Sequence, residues 1–419
     1  MGMRIPRLTW AVCAAALGAC SAGGETWTGT ARDSAGIQLV ENTDQGIWTS
    51  SSQWTLEEET RIGTVEGDSQ YQFGQIGLIA VDSHGQIYVI DGLARNVRVF
   101  TPAGEYVRTI GGPGEGPGEL GQQAVAMYMG PGDTLLVPDM AQQRVNRYAP
   151  DGTSLGSFPL RLENGIPMNI AATRTGVIAE QVRPLTLPDM PARDSMDAIL
   201  SLATDGTILD TLMRFPSGGS IDLANRNDPR VTVFAAEPVW DLAEDGRLLF
   251  GINDNYRISV YQPDGRLERI FSKPFTRSPV TEGDQEKIMG YIEKQIRQLV
   301  PPAQVSVALQ RVRAIYRFAD FYPAFAGVTD GPQGTMWVQH IQSPSTVPEG
   351  EDWNPLEDAG APDWDVFDSN GRYLGVVSMP ARFQPRMIRD DKIYGVWRDE
   401  LDVQYVARMR IVGIPGERG

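Results

Sequence analysis

Short apolar runs, each preceded by a polar turn, recur along most of the chain. Ile87-Tyr-Val-Ile90, Leu135-Leu-Val137, Val177-Ile178, Leu248-Leu-Phe250, Met336-Trp-Val338 and Ile393-Tyr-Gly-Val396 follow one turn type. Those turns are Asp82-Ser-His-Gly85, Pro131-Gly-Asp133, Arg174-Thr-Gly176, Glu244-Asp-Gly246, Pro332-Gln-Gly334 and Arg389-Asp-Asp391. A second turn type follows later in five of the units: Phe100-Thr-Pro-Ala-Gly104, Tyr148-Ala-Pro-Asp-Gly152, Leu202-Ala-Thr-Asp-Gly206, Tyr261-Gln-Pro-Asp-Gly265 and Phe367-Asp-Ser-Asn-Gly371. Runs this short between Gly and Pro punctuation read as strands. Glycine supplies the positive φ of a tight hairpin, and proline presets an early turn position. Two hairpin turns per unit make four strands, the content of a propeller blade. Six units predict an all-β, six-bladed β-propeller over residues 36–412.

Two N-terminal runs, Ile37–Val40 and Trp54–Leu56, have no blade of their own. At least one is expected to complete the last blade, because an open sheet edge invites mispairing. One segment departs from the strand pattern. Ile288, Met289, Ile292, Ile296, Leu299 and Val300 recur at helical spacing, Thr281 and Asp284 form a cap box, and Pro301-Pro302 ends the run. Val305, Ala308, Leu309 and Val312 predict a second helix. These make a helical insertion over about 281–316, between blades four and five. It covers exposed strand ends or roofs a site on the channel.

The opening of the chain adds a different kind of information. Arg4 and Arg7 precede a short apolar run, Leu8–Leu17, too short to span a bilayer as a helix. The run ends Leu17-Gly-Ala-Cys20, which resembles a bacterial lipobox whose cysteine becomes the lipidated first residue. Residues 1–20 then form a lipoprotein signal peptide, 21–35 a flexible tether and 413–419 a tail. Membrane attachment through lipidated Cys20 is expected, in an exported protein at the cell envelope. Ser21, where the resemblance would need Asp for inner-membrane retention, favours the outer membrane, with the body facing the periplasm or the surface.

The clearest unit carries Ala80-Val-Asp-x-x-Gly-x-Ile-Tyr-Val-x-Asp91, Asn96-Val-Arg-Val-Phe100 and Ile110-Gly-Gly-x-Gly-x-Gly-Pro-Gly-Glu119. It resembles the NHL repeat, and the frame returns in Arg144-Val-Asn-Arg-Tyr148 and Arg257-Ile-Ser-Val-Tyr261. The chain is thus similar to bacterial six-bladed, NHL- or TolB-like propeller lipoproteins. The Gly-rich segment reads as an inter-blade connector, since it lacks the Lys-Ser/Thr of a phosphate loop.

Charge and composition narrow the chemistry. The net charge of −16 repels phosphate backbones, so nucleic acid is not an expected partner. The only cysteines, Cys13 and Cys20, lie in the leader, and the only histidines are His84 and His340. A three-histidine zinc site is therefore excluded. His84 reads as a surface turn residue. His340 follows Trp337-Val-Gln339 and is expected near an end of the channel. Asp91 and Asp139 end the second strands of their blades and either cap turns or point to one mouth. Related propeller lactonases and lyases place metal ligands around that axis, but the matching position of blade four is Ile252. The acidic run from Glu349 to Asp368, which holds Asp363 and Asp365, reads as a solvated loop rather than an EF-hand calcium site. No cofactor is expected; a divalent cation is the only one left open. No Gly-x-Ser-x-Gly elbow is present. The expected role is binding of a small-molecule ligand or protein partner, more than catalysis. The alternative is a metal-dependent hydrolase or lyase acting at the channel.

Overall fold

A computed structural model describes residues 26–124, 126–184, 196–222, 230–347 and 359–415. Cys20 and acidic residues 349–358 lie outside the described residues. Six blades of four antiparallel strands form the body, and the sheet of blade 4 carries two further strands. Blade 1 is Ile76–Val81, Ile87–Asp91, Asn96–Phe100 and Tyr106–Ile110. Blade 2 is Tyr128–Met129, Leu135–Asp139, Arg144–Tyr148 and Ser154–Pro159, and blade 3 is Ile166–Ala172, Ile178–Arg183, Met196–Leu202 and Ile208–Pro216. Blade 4 is Pro238–Leu242, Leu248–Ile252, Arg257–Tyr261 and Leu267–Ser272. Blade 5 is Gly327–Asp330, Met336–Ile341, Gly360–Phe367 and Tyr373–Ser378. Blade 6 is Phe383–Arg389, Lys392–Arg398 and Gln404–Val412, completed by the N-terminal strand Thr55–Ile62. First strands of successive blades touch one another, so they stand around a common axis.

Each central strand is covered on both sides, which is why it reads as a continuous apolar run. In blade 1, Ile87 and Val89 pack with Val396 and Val406 of blade 6. Their neighbours Tyr88 and Ile90 pack with Leu135 and Val137 of blade 2. One strand therefore serves two blade interfaces by its period of two. The hairpin glycines do what their positions require: Gly104, Gly152, Gly206, Gly265 and Gly371 all have φ between 78° and 91°.

Because the strands of a blade alternate in direction, all hairpin turns between strands 1 and 2 or 3 and 4 lie on one face. The 2–3 turns and the links between blades lie on the opposite, connector face. The helical insertion stands between blades 4 and 5, as α1 (Glu282–Leu299) and α2 (Val305–Ile315). Thr281 Oγ1 accepts from Asp284 N at 3.2 Å, and Asp284 Oδ2 accepts from Thr281 N at 3.0 Å, the reciprocal cap that the spacing predicts. Ile288 and Ile292 pack on Val233, in a strand of the link between blades 3 and 4. That strand, Arg230–Val233, pairs in parallel with Tyr316–Phe318. The two links thus build one cap on the connector face.

Thr55–Ile62 completes the last blade as expected, and the other N-terminal run, Ile37–Glu41, adds to the outer edge of blade 4 in parallel with Leu267–Ser272. Two expectations need correction. The tether expected over 21–35 is shorter in the fold, since Thr30–Ser34 pairs with that strand as a hairpin. The acidic run is not a solvated loop throughout. Its second half, Gly360–Phe367, is a blade strand with Asp365 1% exposed, because its apolar partners Trp364, Val366 and Phe367 drive it inside.

Between blades 2 and 3, Glu180 is 5% exposed in an otherwise apolar interface, and its Oε1 has no hydrogen-bond partner. Burial pushes its carboxyl up to about 7. The charged form is what burial penalises, so stability is full below the unfolded carboxylate range. It is lost as pH rises from about 4.5 to 7. Replacing Glu180 with Met is expected to stabilise the protein at pH 8 by about 2–3 kcal/mol, with little effect at pH 4.5. Urea unfolding at the two pH values checks it, and equal gains at both would contradict the assignment.

Candidate functional site

Three polar sites stand out from the blade framework. The first lies between blades 4 and 5 and brings together two residues singled out by sequence. His340 Nε2 stands 3.1 Å from Asp365 Oδ1. Lys273 Nζ lies 3.0 Å from both carboxylate oxygens. Tyr256 Oη donates to Oδ2 at 2.6 Å and Tyr373 Oη to Oδ1 at 2.8 Å. Burial alone would raise the Asp365 carboxyl. The hydrogen bond from His340, the Lys273 charge and the Tyr256 hydroxyl overcome it and hold it down at about 2. A carboxylate engaged by four side chains positions His340 and ties two blades together. A hydrolytic relay would also need a nucleophile hydrogen-bonded to the histidine. Among the described residues none contacts His340.

The second site lines the channel toward the hairpin-turn face. Asp241 is on the first strand of blade 4 and Asp330 ends the first strand of blade 5. Thr329 Oγ1 donates to Asp241 Oδ2 at 2.7 Å. Both carboxyls keep some contact with channel solvent, yet protein encloses them closely. Burial raises both, and the Asp241 charge helps push Asp330 up to about 7. Tyr128 of blade 2 is also raised, by burial and then by the Asp241 charge. Just beyond, Glu244 lies 3.8 Å from Arg389 of blade 6 and 3.5 Å from Arg174 of blade 3. Arg389 also donates to the Val81 carbonyl of blade 1. These contacts join four blades across the turn-face end of the channel.

The third site is a cleft of about 250 Å³ beside the cap. Phe234 comes from the link between blades 3 and 4, and Asp254 from the 2–3 turn of blade 4. Arg277, Asp320, Phe321 and Tyr322 come from the segments flanking the helices. Phe234 and Tyr322 meet edge to face with centroids 4.6 Å apart. Arg277 Nη2 donates to the Asp254 carbonyl at 3.3 Å. The Phe234 and Tyr322 rings thus pack together at the cleft, and Arg277, Asp254 and Asp320 are the charged residues that line it.

The other sequence candidates are not in these sites. Asp91 is fully buried and accepts from Gly74 N, Gln75 N, Leu93 N and Ala94 N at 2.9–3.1 Å, and from Arg98 at 3.3 Å. Asp139 accepts from Gly121 N at 2.7 Å and Gln142 N at 3.2 Å. Each binds the link entering its own blade. Blade 4 does the same one residue later: Asn253 Oδ1 accepts from Glu237 N at 2.7 Å, which explains why Ile252 breaks the pattern. Asp363 accepts from Ser378 Oγ at 2.5 Å. His84 is a turn residue, its side chain 80% exposed and 3.7 Å from Asp133. Among the described residues, no three His, Cys, Asp or Glu side chains group to hold a metal ion, and no helix is long and apolar enough to cross a membrane.

Asp241, Asp330, Tyr256 and Lys273 escaped the sequence reading. Asp241 sits between apolar neighbours, Trp-Asp-Leu, and an acid inside a strand was the available signal; Asp330, at a strand end before Gly331, offered none.

Comparison with known proteins agrees with this architecture. Residues 64–154 match a family model described as a 6-bladed beta-propeller. The described residues form a six-bladed β-propeller. A candidate exported protein of Bacteroides fragilis NCTC 9343 has a similar structure, with TM-score 0.52 and 13% identity over 89% of this chain and 99% of that one. A duf4221-family member from Bacteroides vulgatus ATCC 8482 is similar at TM-score 0.51 and 12% identity, over 86% and 98% of the two chains. At these identities the likeness concerns the fold alone. No curated protein matches the chain in sequence.

Proposed function

We propose that the chain is an exported propeller, lipid-anchored through Cys20, that binds a small amphipathic ligand in the cleft beside its helical cap. The observation that carries this reading is the cleft itself. Four separate segments converge there, setting Phe234, Phe321 and Tyr322 against Arg277, Asp254 and Asp320. Ligand sites are typically concave and mostly apolar, with a few converging polar groups. An apolar body lies against the rings, an acidic end faces Arg277, and a basic end faces the two carboxylates. The lipobox-like Leu17–Cys20, after a short apolar run, supports both the anchor and export.

The test is a thermal-shift screen with aromatic dipeptides and medium-chain fatty acids. A ligand selective for the folded state at about 100 times its Kd stabilises by about 2.7 kcal/mol. At least one compound is expected to raise the melting temperature, and Arg277→Ala and Phe321→Ala are expected to weaken it about tenfold or more. Binding unchanged in both variants, or no binder in the panel, refutes the cleft. Cys20→Ser should abolish membrane association, and unchanged processing and fractionation would refute the anchor.

A further inference from the structure

Val107, Leu155, Ile208 and Leu209 are exposed on outer-edge strands, but the large apolar side chains exposed at turn tips are divided unevenly between the two faces. Of the four 2–3 turns described, those of blades 6, 1 and 2 carry Leu401, Leu93 and Met140, which are 80%, 73% and 36% exposed. These three blades are consecutive in the ring. Val65, in the link from blade 6 to blade 1, is exposed between them. On the other side of the ring the cap exposes Leu299, and Phe321 stands exposed at the cleft. Among the described residues, the hairpin turns of the opposite face expose no large hydrophobic side chain. Tight turns favour Gly, Asn, Asp and Ser, so folding alone does not place leucine at a turn tip. Apolar residues gathered on one side of a soluble body mark a contact surface.

The chain's entry point says what lies against that face. Thr30 pairs with Glu41, and Glu41 with Ser272, the residue from which blade 4 leads into the cap. The folded body begins at Trp27, whose Nε1 donates to Asn42 Oδ1 at 2.9 Å. Trp27 lies seven positions after Cys20, a reach of at most about 24 Å. A compact domain of this length has a radius of gyration of about 22 Å, so the tether is shorter than the body is wide.

We propose that the connector face lies against the bilayer that carries the lipid on Cys20, with Leu93, Met140 and Leu401 dipping into its interface. This rests on the lipid anchor proposed above. Apolar tips gain contact energy at the boundary of headgroups and acyl chains. A chain of net charge −16 gains nothing from anionic lipid, so the surface it fits is zwitterionic. The cleft beside the cap then opens at that interface, where amphipathic molecules concentrate.

The sequence makes the test clean, because its only cysteines are Cys13 and Cys20, both in the leader. The lipidated full chain is prepared as Leu93→Cys, Leu401→Cys and His84→Cys, each labelled with an environment-sensitive fluorophore. Each is reconstituted on vesicles of phosphatidylcholine and phosphatidylethanolamine that carry a shallow nitroxide quencher. The Leu93 and Leu401 labels should be quenched about threefold more than the His84 label on the opposite face. Equal quenching at all three positions, or most at His84, overturns the orientation. Failure to float with the vesicles overturns the anchor and the orientation with it, whereas flotation with unquenched tips overturns the orientation alone. Tip labels shielded from iodide in native membranes but unquenched by lipid would assign the face to a protein partner instead, and also overturn it.

Discussion

Asp365→Ala is expected to destabilise the propeller by about 3–5 kcal/mol, the usual cost of removing one partner from a buried ion pair. The substitution leaves Lys273 with no carboxylate at a site where its side chain is only 14% exposed. It also takes the acceptor from two buried hydroxyls, Tyr256 and Tyr373. The damage falls between blades 4 and 5, where Tyr256, Phe271, Phe325 and Phe367 form an aromatic cluster. Asp365 also predicts an acid transition. Its folded carboxyl is held at about 2, below the ordinary 3.8. A depressed acid contributes stability above its unfolded value and loses it as pH falls through the folded one. About 2 kcal/mol should therefore disappear between pH 4 and pH 2 in the wild type and not in Asp365→Ala. Guanidinium unfolding across that range measures both effects. A variant within about 1 kcal/mol of wild type would mean that the four donors find other acceptors.

The Asp241–Asp330 pair predicts the opposite dependence on pH. Both folded carboxyls are raised, so ionising them in the folded state costs stability. That stability is intact below the unfolded carboxylate range and is lost as pH climbs toward 7. Asp330→Asn keeps the shape and removes one charge from the pair. It should stabilise the protein at pH 8 by about 4 kcal/mol and change little at pH 4. Comparing variant with wild type at each pH cancels the separate slope contributed by Glu180. A variant equally stable or weaker at pH 8 would show that channel solvent already relieves the repulsion.

How much of this was legible in the sequence follows from the range of the interactions. The hairpin glycines are local: Gly104 N bonds to Thr101 O at 2.9 Å within one turn, so the motif announces itself. The cap of α1 is equally local, as Thr281 and Asp284 are three residues apart. The six repeats followed from such turns, and with them the fold. The sites did not, because they are assembled between blades. Tyr256 and Asp365 meet across 109 positions, and Thr329 and Asp241 across 88. His340 and Asp365 were both visible as candidates, but nothing local says that strands 2 and 3 of blade 5 set them side by side. The same limit hid the N-terminal hairpin. Gln38-Leu-Val-Glu41 fits the outer edge of any blade, and only tertiary contacts such as Asn42 with the Gly371 carbonyl select blade 4.

The strand Thr55–Ile62 that completes blade 6 governs when the ring can form. Glu57 and Arg410 are ion-paired across 353 positions, so one sheet joins a strand made early to one made late. Such a contact carries nearly the largest loop-closure entropy the chain can incur, and it places the fold among slow, topologically non-local folders. A nascent or part-translocated chain that lacks Gln404–Val412 holds two unpaired edges, on Lys392–Arg398 and on Thr55–Ile62, each a template for intermolecular pairing. Ring closure is thus a completion check: the native propeller closes only after Gln404–Val412 has emerged.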